Sequence, residues 1–461
     1  MEATMNGERK MNDVYELICG KMLRVLDAED NASDAFLSKQ HVFIVGSKGI
    51  PAQYGGFETY VEKMVEYQTD KNIQFHVARL ADDEKRYEYN GAICFNVKVP
   101  DIGPAKAIYY DVAALDKCIK YCSRMNLRRP PIFYVLACRI GPFIEHFRKR
   151  IHKLGGVLLV NPDGHEWKRS KWSLPVRKYW KVSEDLMVRS ADLLVCDSKK
   201  IEEYILEDYY QYNPRTTYLS YGCDSTPSSL ADDSEKFLGW LKEKGLASGE
   251  YYLVVGRFVP ENNVETIVRE FMQSNTSKKL ALITTENEKL YNELDKKLGF
   301  SKDERICFAG SVYDQELLKK IREKAYAYLH GHSVGGTNPS LLEALGSTNL
   351  NLLFDVGFNS EVGEDAALYW TCEQGSLSSL IERADQLSEA QINNYGVLAK
   401  RRIEDAYRWE SIVSQYQNLF HAESAAVRKV KNEFFYSNSG TQKRELFDGM
   451  FGVSVSEPGR R

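Results

Sequence analysis

The sequence predicts an α/β protein with two doubly wound domains in tandem facing a cleft, plus an extension at each end. Three observations carry that prediction. At 461 residues the chain is long for a single hydrophobic core. Short apolar runs alternate with amphipathic helical segments, as in parallel strands joined by right-handed crossovers. The alternation starts at His41 and begins afresh near "EYYLVVGRFVPENN", after a polar stretch from about Thr226 to Glu250 that has room for a short helix.

Residues 1–40 read as a charged N-terminal extension with short helical stretches, "VYELICGKMLRVLDAE" among them. The first series then runs through strand "HVFIVG", helix "FETYVEKMVEYQ", strands "IQFHVARL" and "AICFNVKVP", and helix "AIYYDVAALDKCIKYCSRM". Strands "IFYVLA", "GGVLLVNPDG" and "ADLLVCDS" follow. In the first helix, Phe57, Val61, Met64 and Val65 share one face. The second series alternates from "YYLVVG" to "NLLFDV". The expected bounds are 41–228 and 229–405, with a helix at 406–422 and a tail without periodicity at 423–461.

Bulk properties exclude several classes of function. A net charge of −4 argues against a general polyanion binder. No apolar run is long enough to cross a bilayer, and the polar N-terminus does not read as a signal peptide. Nine scattered cysteines without a C-x-x-C pair read as reduced thiols of a cytoplasmic protein.

Four constellations can carry chemistry. In "IVGSKGIPAQYGGFETYVEKMV", Gly55 and Gly56 precede a helix whose amides can face an anion. Neither G-x-G-x-x-G nor the P-loop pattern fits. Glu58 has a plainer reading, as a carboxylate favouring the helix dipole. In "VGRFVPENN", Arg257 ends a strand and either binds phosphate oxygens or pairs with a carboxylate such as Glu261. In "YLHGHSVGGTNPSLLEALGS", Pro339 opens a helix behind Thr337 and Asn338. Glu343 either accepts from sugar hydroxyls or lies on a solvated face. His330 and His332 lack a third ligand at metal-site spacing.

The fourth constellation is "NPDGHEWKRSKWSLPVRKYWK", where Asp163, His165 and Glu166 are acid/base candidates at a strand end. From Arg124 to Lys181 basic residues outnumber acidic ones by about eleven, interleaved with Trp167, Trp172, Tyr179 and Trp180. Such a stretch suits a nucleic acid, an anionic membrane face, or a solvated surface over core aromatics.

Together, "GSKGIPAQYGGFETYVE", "NPDGHEWKRSKWS", "ADLLVCDS", "VGRFVPENN" and "HGHSVGGTNPSLLEAL" resemble the bacterial β-1,4-rhamnosyltransferases of glycosyltransferase family 4 over residues 41–420. The resemblance implies a GT-B fold of two Rossmann-like domains, the C-terminal one holding most of a nucleotide sugar. It implies retaining transfer without a metal or other cofactor: a hexosyl group, L-rhamnose from dTDP-L-rhamnose, passes to a lipid-linked saccharide in surface polysaccharide synthesis. The implied partners are that donor, that acceptor and the inner face of the cell membrane, met through the basic and aromatic patch, with no nucleic acid.

Carried over residue by residue, Gly55 and Gly56 would line the donor diphosphate, and Arg257 would neutralise it as it leaves. Thr337 and Asn338 would contact diphosphate or sugar, Glu343 the ribose, and Gly310 and Ser311 the base. Asp163 would stand by the reacting sugar, and Trp409 would anchor a helix crossing back to the first domain. Two positions depart from the wider family: Gly335 replaces a Glu, and Asn262 replaces a Lys. His165 stands where the branch favours an apolar residue and is not expected to be catalytic. The alternatives are a UDP-glucose or UDP-N-acetylhexosamine donor, or a sugar-binding scaffold with a decayed site. A nicotinamide dehydrogenase fits least, for want of a G-x-G-x-x-G.

Overall fold

Among the described residues of the computed structural model (14–26, 33–53, 55–285 and 287–436) the strands form two separate sheets. The first comprises β1 (Val14–Ile18), β2 (Lys21–Val25), β3 (Gln40–Val45), β4 (Ile73–Leu80) and β5 (Arg86–Tyr89). It continues with β6 (Ala92–Val97), β7 (Ile132–Leu136), β8 (Val157–Asn161), β9 (Leu193–Cys196) and β10 (Thr216–Tyr218). Their spatial order is β1-β2-β5-β6-β4-β3-β7-β8-β9-β10. The second sheet comprises β11 (Tyr251–Val255), β12 (Lys279–Ile283), β13 (Ile306–Phe308), β14 (Ala327–His330), β15 (Asn351–Phe354) and β16 (Leu368–Trp370). Its order is β13-β12-β11-β14-β15-β16, all parallel.

The central strands are continuous apolar runs because helices cover both faces. Every residue of β3 is buried, with Val42 opposite Phe75 of β4 and Ile132 of β7. In each sheet the strand order reverses beside the first parallel strand, at β3 between β4 and β7 and at β11 between β12 and β14. A crevice opens at the carboxyl ends of strands at such switch points, and the two crevices face each other.

Three expectations need correction. "VYELI" and "KMLRV" are not helical: β1 and β2 form a hairpin that pairs antiparallel with β5 and extends the first sheet. β5 itself pairs antiparallel with β6, so the sheet is mixed. A hairpin pattern of five residues per strand is too short for its period of two to stand out against helical charge patterning. The last helix does not end near residue 422 but runs from Trp409 to Tyr436. The expected tail beyond it, and residues 1–13 and 27–32 of the N-terminal extension, lie outside the described residues.

That last helix packs on β3, on β8 and on the helix Gly56–Glu66. Tyr416 and Phe420 meet Tyr60, Tyr134 and Phe75 in an aromatic cluster, and Tyr416 donates to the Leu219 carbonyl at 3.0 Å. Trp409, buried at the helix start, lies near Tyr60. Among the described residues no helix is long and apolar enough to cross a membrane.

Two predictions follow from this packing. Trp409→Ala should destabilise the protein by about 3–5 kcal/mol, read by urea denaturation, because it empties a site that the remaining aromatics cannot refill. The second concerns His41 and His76, buried on β3 and β4 with Nδ1 of one 2.8 Å from Nε2 of the other. Burial pushes His41 down to about 4 and His76 well below its ordinary value. Both rings are therefore neutral in the fold. Their contribution is complete above the unfolded pKa of about 6.5 and is lost as pH falls towards 4. Melting temperature should drop across that window, and the drop should be smaller in His41→Asn.

Candidate functional site

The second domain builds its wall of the cleft around the end of β11. Beyond Val255 the chain turns through Gly256 and Arg257. The Asn262 side chain holds that turn: its Nδ2 donates to the Arg257 carbonyl at 2.8 Å, and its Oδ1 lies 2.9 Å from Nδ1 of His332. Asn263 ties in the same loop, donating to the Gly331 carbonyl at 2.9 Å. Asn262 is thus a brace between the turn after β11 and the loop after β14. The Arg257 side chain is exposed to the cleft and has no hydrogen-bond or ion-pair partner among the described residues. The expected alternative, pairing with Glu261, is not what forms: both the backbone N–H and the hydroxyl of Ser170 donate to Glu261, at 2.6 and 2.8 Å.

The loop after β14 leads into the helix Pro339–Ser347. The Asn338 side chain accepts from the Ser340 N–H at 2.9 Å and so caps this helix. The buried Thr337 hydroxyl donates to the Asp197 carbonyl of the first domain at 2.6 Å. Both side chains are therefore engaged within the protein. The backbone is what faces the cleft: the N–H groups of Gly336, Thr337 and Asn338 donate to no protein acceptor among the described residues. Glu343 pairs with the buried Arg322 at 2.6 Å, so it is neither free nor merely solvated. Ser311 lines the cleft, with its hydroxyl 3.3 Å from the Thr284 carbonyl, whereas Gly310 is not part of the lining.

The first domain contributes the opposite wall. Arg139 donates to the Gly46 carbonyl at 2.6 Å and pairs with buried Asp111 at 3.0 Å, fixing the start of the glycine-rich loop. Gly55 and Gly56 line the cleft where the helix begins. Glu58 does more than complement the helix dipole, because it folds back to accept from the Lys48 N–H at 2.7 Å. Its carboxylate then occupies the space where a Cβ on Gly55, at φ 131°, would stand.

Asp163 lines the cleft in a left-handed conformation, φ 58°, with its N–H donating to the Asn161 side chain at 2.7 Å. Burial raises its pKa, an effect that Arg169 opposes. Asp197 is buried beside it. Burial, and then the Asp163 charge, push its carboxyl well above the usual range. Glu166 accepts from Trp172 Nε1 at 2.8 Å and pairs with Arg169 and Lys171 at 2.5 and 3.0 Å, which commits it as a counterion. His165 stacks on Tyr204 at 4.1 Å, and burial holds it down at about 4. Its position is structural. The aromatics of the basic stretch do not make an outer patch, since Trp167, Trp172 and Trp180 line the cleft.

The two walls enclose a cavity of 770 Å³, within the range of small-molecule sites. They touch where Gly164 meets Gly335: a Cβ on Gly164 would lie 2.7 Å from the Gly335 carbonyl carbon. Farther along, Ser198 and the Lys199 N–H donate to Glu361 at 2.7 and 3.0 Å. Among the described residues no group of three or more His, Cys, Asp or Glu is placed to hold a metal ion, His330 and His332 included. Sequence reasoning missed Arg139, Arg169, Asp197 and Arg322. In the sequence each belongs to an ordinary run, "ACRIG", "KRSK", "VCDS" or "KKIREK", and only the fold turns it inward. Gly164→Ala should force the two loops apart. We expect a larger radius of gyration by small-angle scattering, with circular dichroism unchanged.

Comparison with known proteins agrees with this geometry. A domain of unknown function (DUF1972) matches residues 39–224, the first domain. No curated protein sequence matches the chain. Solved structures that share the fold include sucrose-phosphate synthase from Thermosynechococcus elongatus, at 17% identity and TM-score 0.68, covering 84% of this chain and 100% of that one. HepE of Anabaena in complex with UDP is similar at 13% identity and TM-score 0.60, covering 83% and 100%. The α,α-trehalose 6-phosphate synthase of Burkholderia multivorans is similar at 10% identity and TM-score 0.64, covering 86% and 98%. The chain thus carries the DUF1972 domain in its first half and has, as a whole, the two-domain GT-B fold of these glycosyltransferases.

Proposed function

We propose that the protein is a glycosyltransferase that takes a glycosyl group from a nucleoside-diphosphate sugar. One observation carries this reading: Arg257 lines the same cavity as three consecutive residues, Gly336, Thr337 and Asn338, and among the described residues neither its side chain nor their backbone N–H groups have a partner. Oriented amides beside a guanidinium suit a diphosphate, which needs many donors and a positive field. The structures of HepE bound to UDP and to UDP-glucose support a nucleotide-sugar ligand for this fold.

In the proposed reaction the donor is dTDP-L-rhamnose and the acceptor a hydroxyl of a lipid-linked saccharide. The bond from the anomeric carbon to the diphosphate oxygen breaks as the acceptor oxygen bonds to the same face of that carbon, with retention. The acceptor proton passes to the departing diphosphate. Arg257 and the loop amides hold the charge that develops there, in place before the reaction and needing no reorganisation. Asp163 accepts a hydrogen bond from a hydroxyl of the reacting sugars. The scheme uses arginine and amides, not a metal ion, as its electrophiles.

A lipid-linked acceptor requires access to a membrane surface. Phe143, Leu174 and Val182 are exposed on the helices Gly141–Lys153 and Leu174–Ser190, which pack on each other. Lys149, Lys153 and Lys178 are exposed on the same helices. Apolar anchors among lysines suit an anionic bilayer.

Arg257→Ala should reduce transfer at least ~100-fold, the loss expected for one preorganised donor to the leaving charge, with an unchanged melting temperature. Product mass after incubation with dTDP-rhamnose, UDP-glucose or UDP-N-acetylglucosamine identifies the donor. Transfer from a UDP-sugar alone would replace thymidine by uridine in the proposal, and full activity of Arg257→Ala would reject its role. For the membrane, Leu174→Glu with Val182→Glu should abolish co-sedimentation with phosphatidylglycerol vesicles.

A further inference from the structure

We propose that Arg169 is the first domain's half of the diphosphate clamp, held opposite Arg257 by the Ser170–Glu261 hydrogen bonds. This rests on the reading of the cavity as a nucleoside-diphosphate-sugar site, and it adds a residue on the other domain. The sequence around Arg169, "EWKRSKW", offers several basic residues without distinguishing among them. The geometry does. Arg169 and Lys171 line the cavity, whereas Lys168 lies outside the lining with its ammonium over the Trp167 ring. Lys171 is half-exposed and paired with Glu166. Arg169 is 13% exposed and meets Glu166 through Nε, at 2.5 Å. Its Nη groups meet no acceptor among the described residues. A guanidinium held by an ion pair on its Nε side leaves its two Nη groups as a fork, the arrangement that grips two oxygens of one phosphate.

The position of that fork depends on its neighbour. Ser170 donates twice to Glu261, and Glu261 lies in the turn that begins at Arg257. The segment carrying Arg169 is therefore tied directly to the segment carrying Arg257, although the two come from different domains. The ring of His332 is buried in the same lining, and burial, followed by the charges of Arg169 and Arg257, holds it neutral, at about 3. Burial opposes ionisation of Glu261, but the Ser170 hydrogen bonds hold its pKa below the usual range. The Ser170–Glu261 bonds thus bring two guanidiniums into one lining, and among the described residues Glu166 is the carboxylate that Arg169 pairs with. An anion with two phosphates can lie between the forks, each arginine taking oxygens that the other cannot reach.

The test separates the terminal phosphate from the rest of the nucleotide. Binding of TDP and TMP to the full chain is measured by calorimetry for the wild type, Arg169→Gln, Arg169→Lys and Ser170→Ala. We expect Arg169→Gln to weaken TDP about ten-fold or more and TMP less than two-fold, the difference made by charge-assisted hydrogen bonds to the second phosphate. Arg169→Lys should recover part of that loss, because the charge remains while the fork does not. Ser170→Ala, with Arg169 intact, should weaken TDP by a smaller factor, as befits a positioning residue. Equal losses for TDP and TMP, or no loss of TDP in Arg169→Gln at an unchanged melting temperature, would overturn the proposal. A wild type that binds neither TDP nor UDP would instead overturn the nucleotide-sugar reading on which it rests.

Discussion

The close approach of two backbones, Gly164 of the first domain against Gly335 of the second, is the constraint on which the cleft depends. A side chain on Gly164 would stand where the Gly335–Gly336 backbone runs. With the loops in contact, the Thr337 hydroxyl reaches the Asp197 carbonyl and Ser170 reaches Glu261. Neither bond could form across a wider gap, since hydrogen bonds weaken steeply beyond about 3.2 Å. The glycine contact thus sets the width of the cavity, and polar bonds on either side keep its walls in register.

Electrostatics inside the cavity follow from that closure. Most of its charged groups are already paired: Arg139 with Asp111, Arg322 with Glu343, and Lys171 with Glu166. Such pairs largely cancel at a distance and serve to hold side chains in place. Asp163 is a lining carboxylate left outside these pairs, and among the described residues Arg257, the outward fork of Arg169 and the amides of the Gly336–Asn338 loop remain without a partner. These lie where β11 and β14 end, the place at which an open parallel sheet presents its ligand site. Inside a cleft these groups act over shorter distances through less water than separated surface cations, which strengthens their field.

Two positions that the sequence singles out, Asn262 and Gly335, have physical accounts. Asn262 carries no charge, but its amide bridges the Arg257 carbonyl and the His332 ring. It stiffens the turn that aims Arg257. Gly335 adopts φ 137°, a conformation strained for any side chain, and a Cβ there would lie 3.1 Å from Nε2 of His332. Asn262 thus braces the second domain's wall of the cleft, and Gly335 lies where that wall meets Gly164 of the first.

The sequence by itself determined the two-domain α/β architecture, because apolar runs and helical periodicity are local and repeat in order. It also marked Gly55, Gly56 and Arg257, since glycine-rich turns and an arginine at a strand end depend only on neighbours along the chain. The β1–β2 hairpin was not legible, because short strands with exposed polar faces resemble helical turns. Nor was the true use of Thr337, Asn338 and Glu343, whose side chains are engaged by Asp197, Ser340 and Arg322. Only the tertiary structure decided those partners. Residues 140 positions apart in sequence, such as Asp197 and Thr337, meet only when two sheets face each other. No local pattern of charge or hydropathy encodes which side chain the facing sheet will supply.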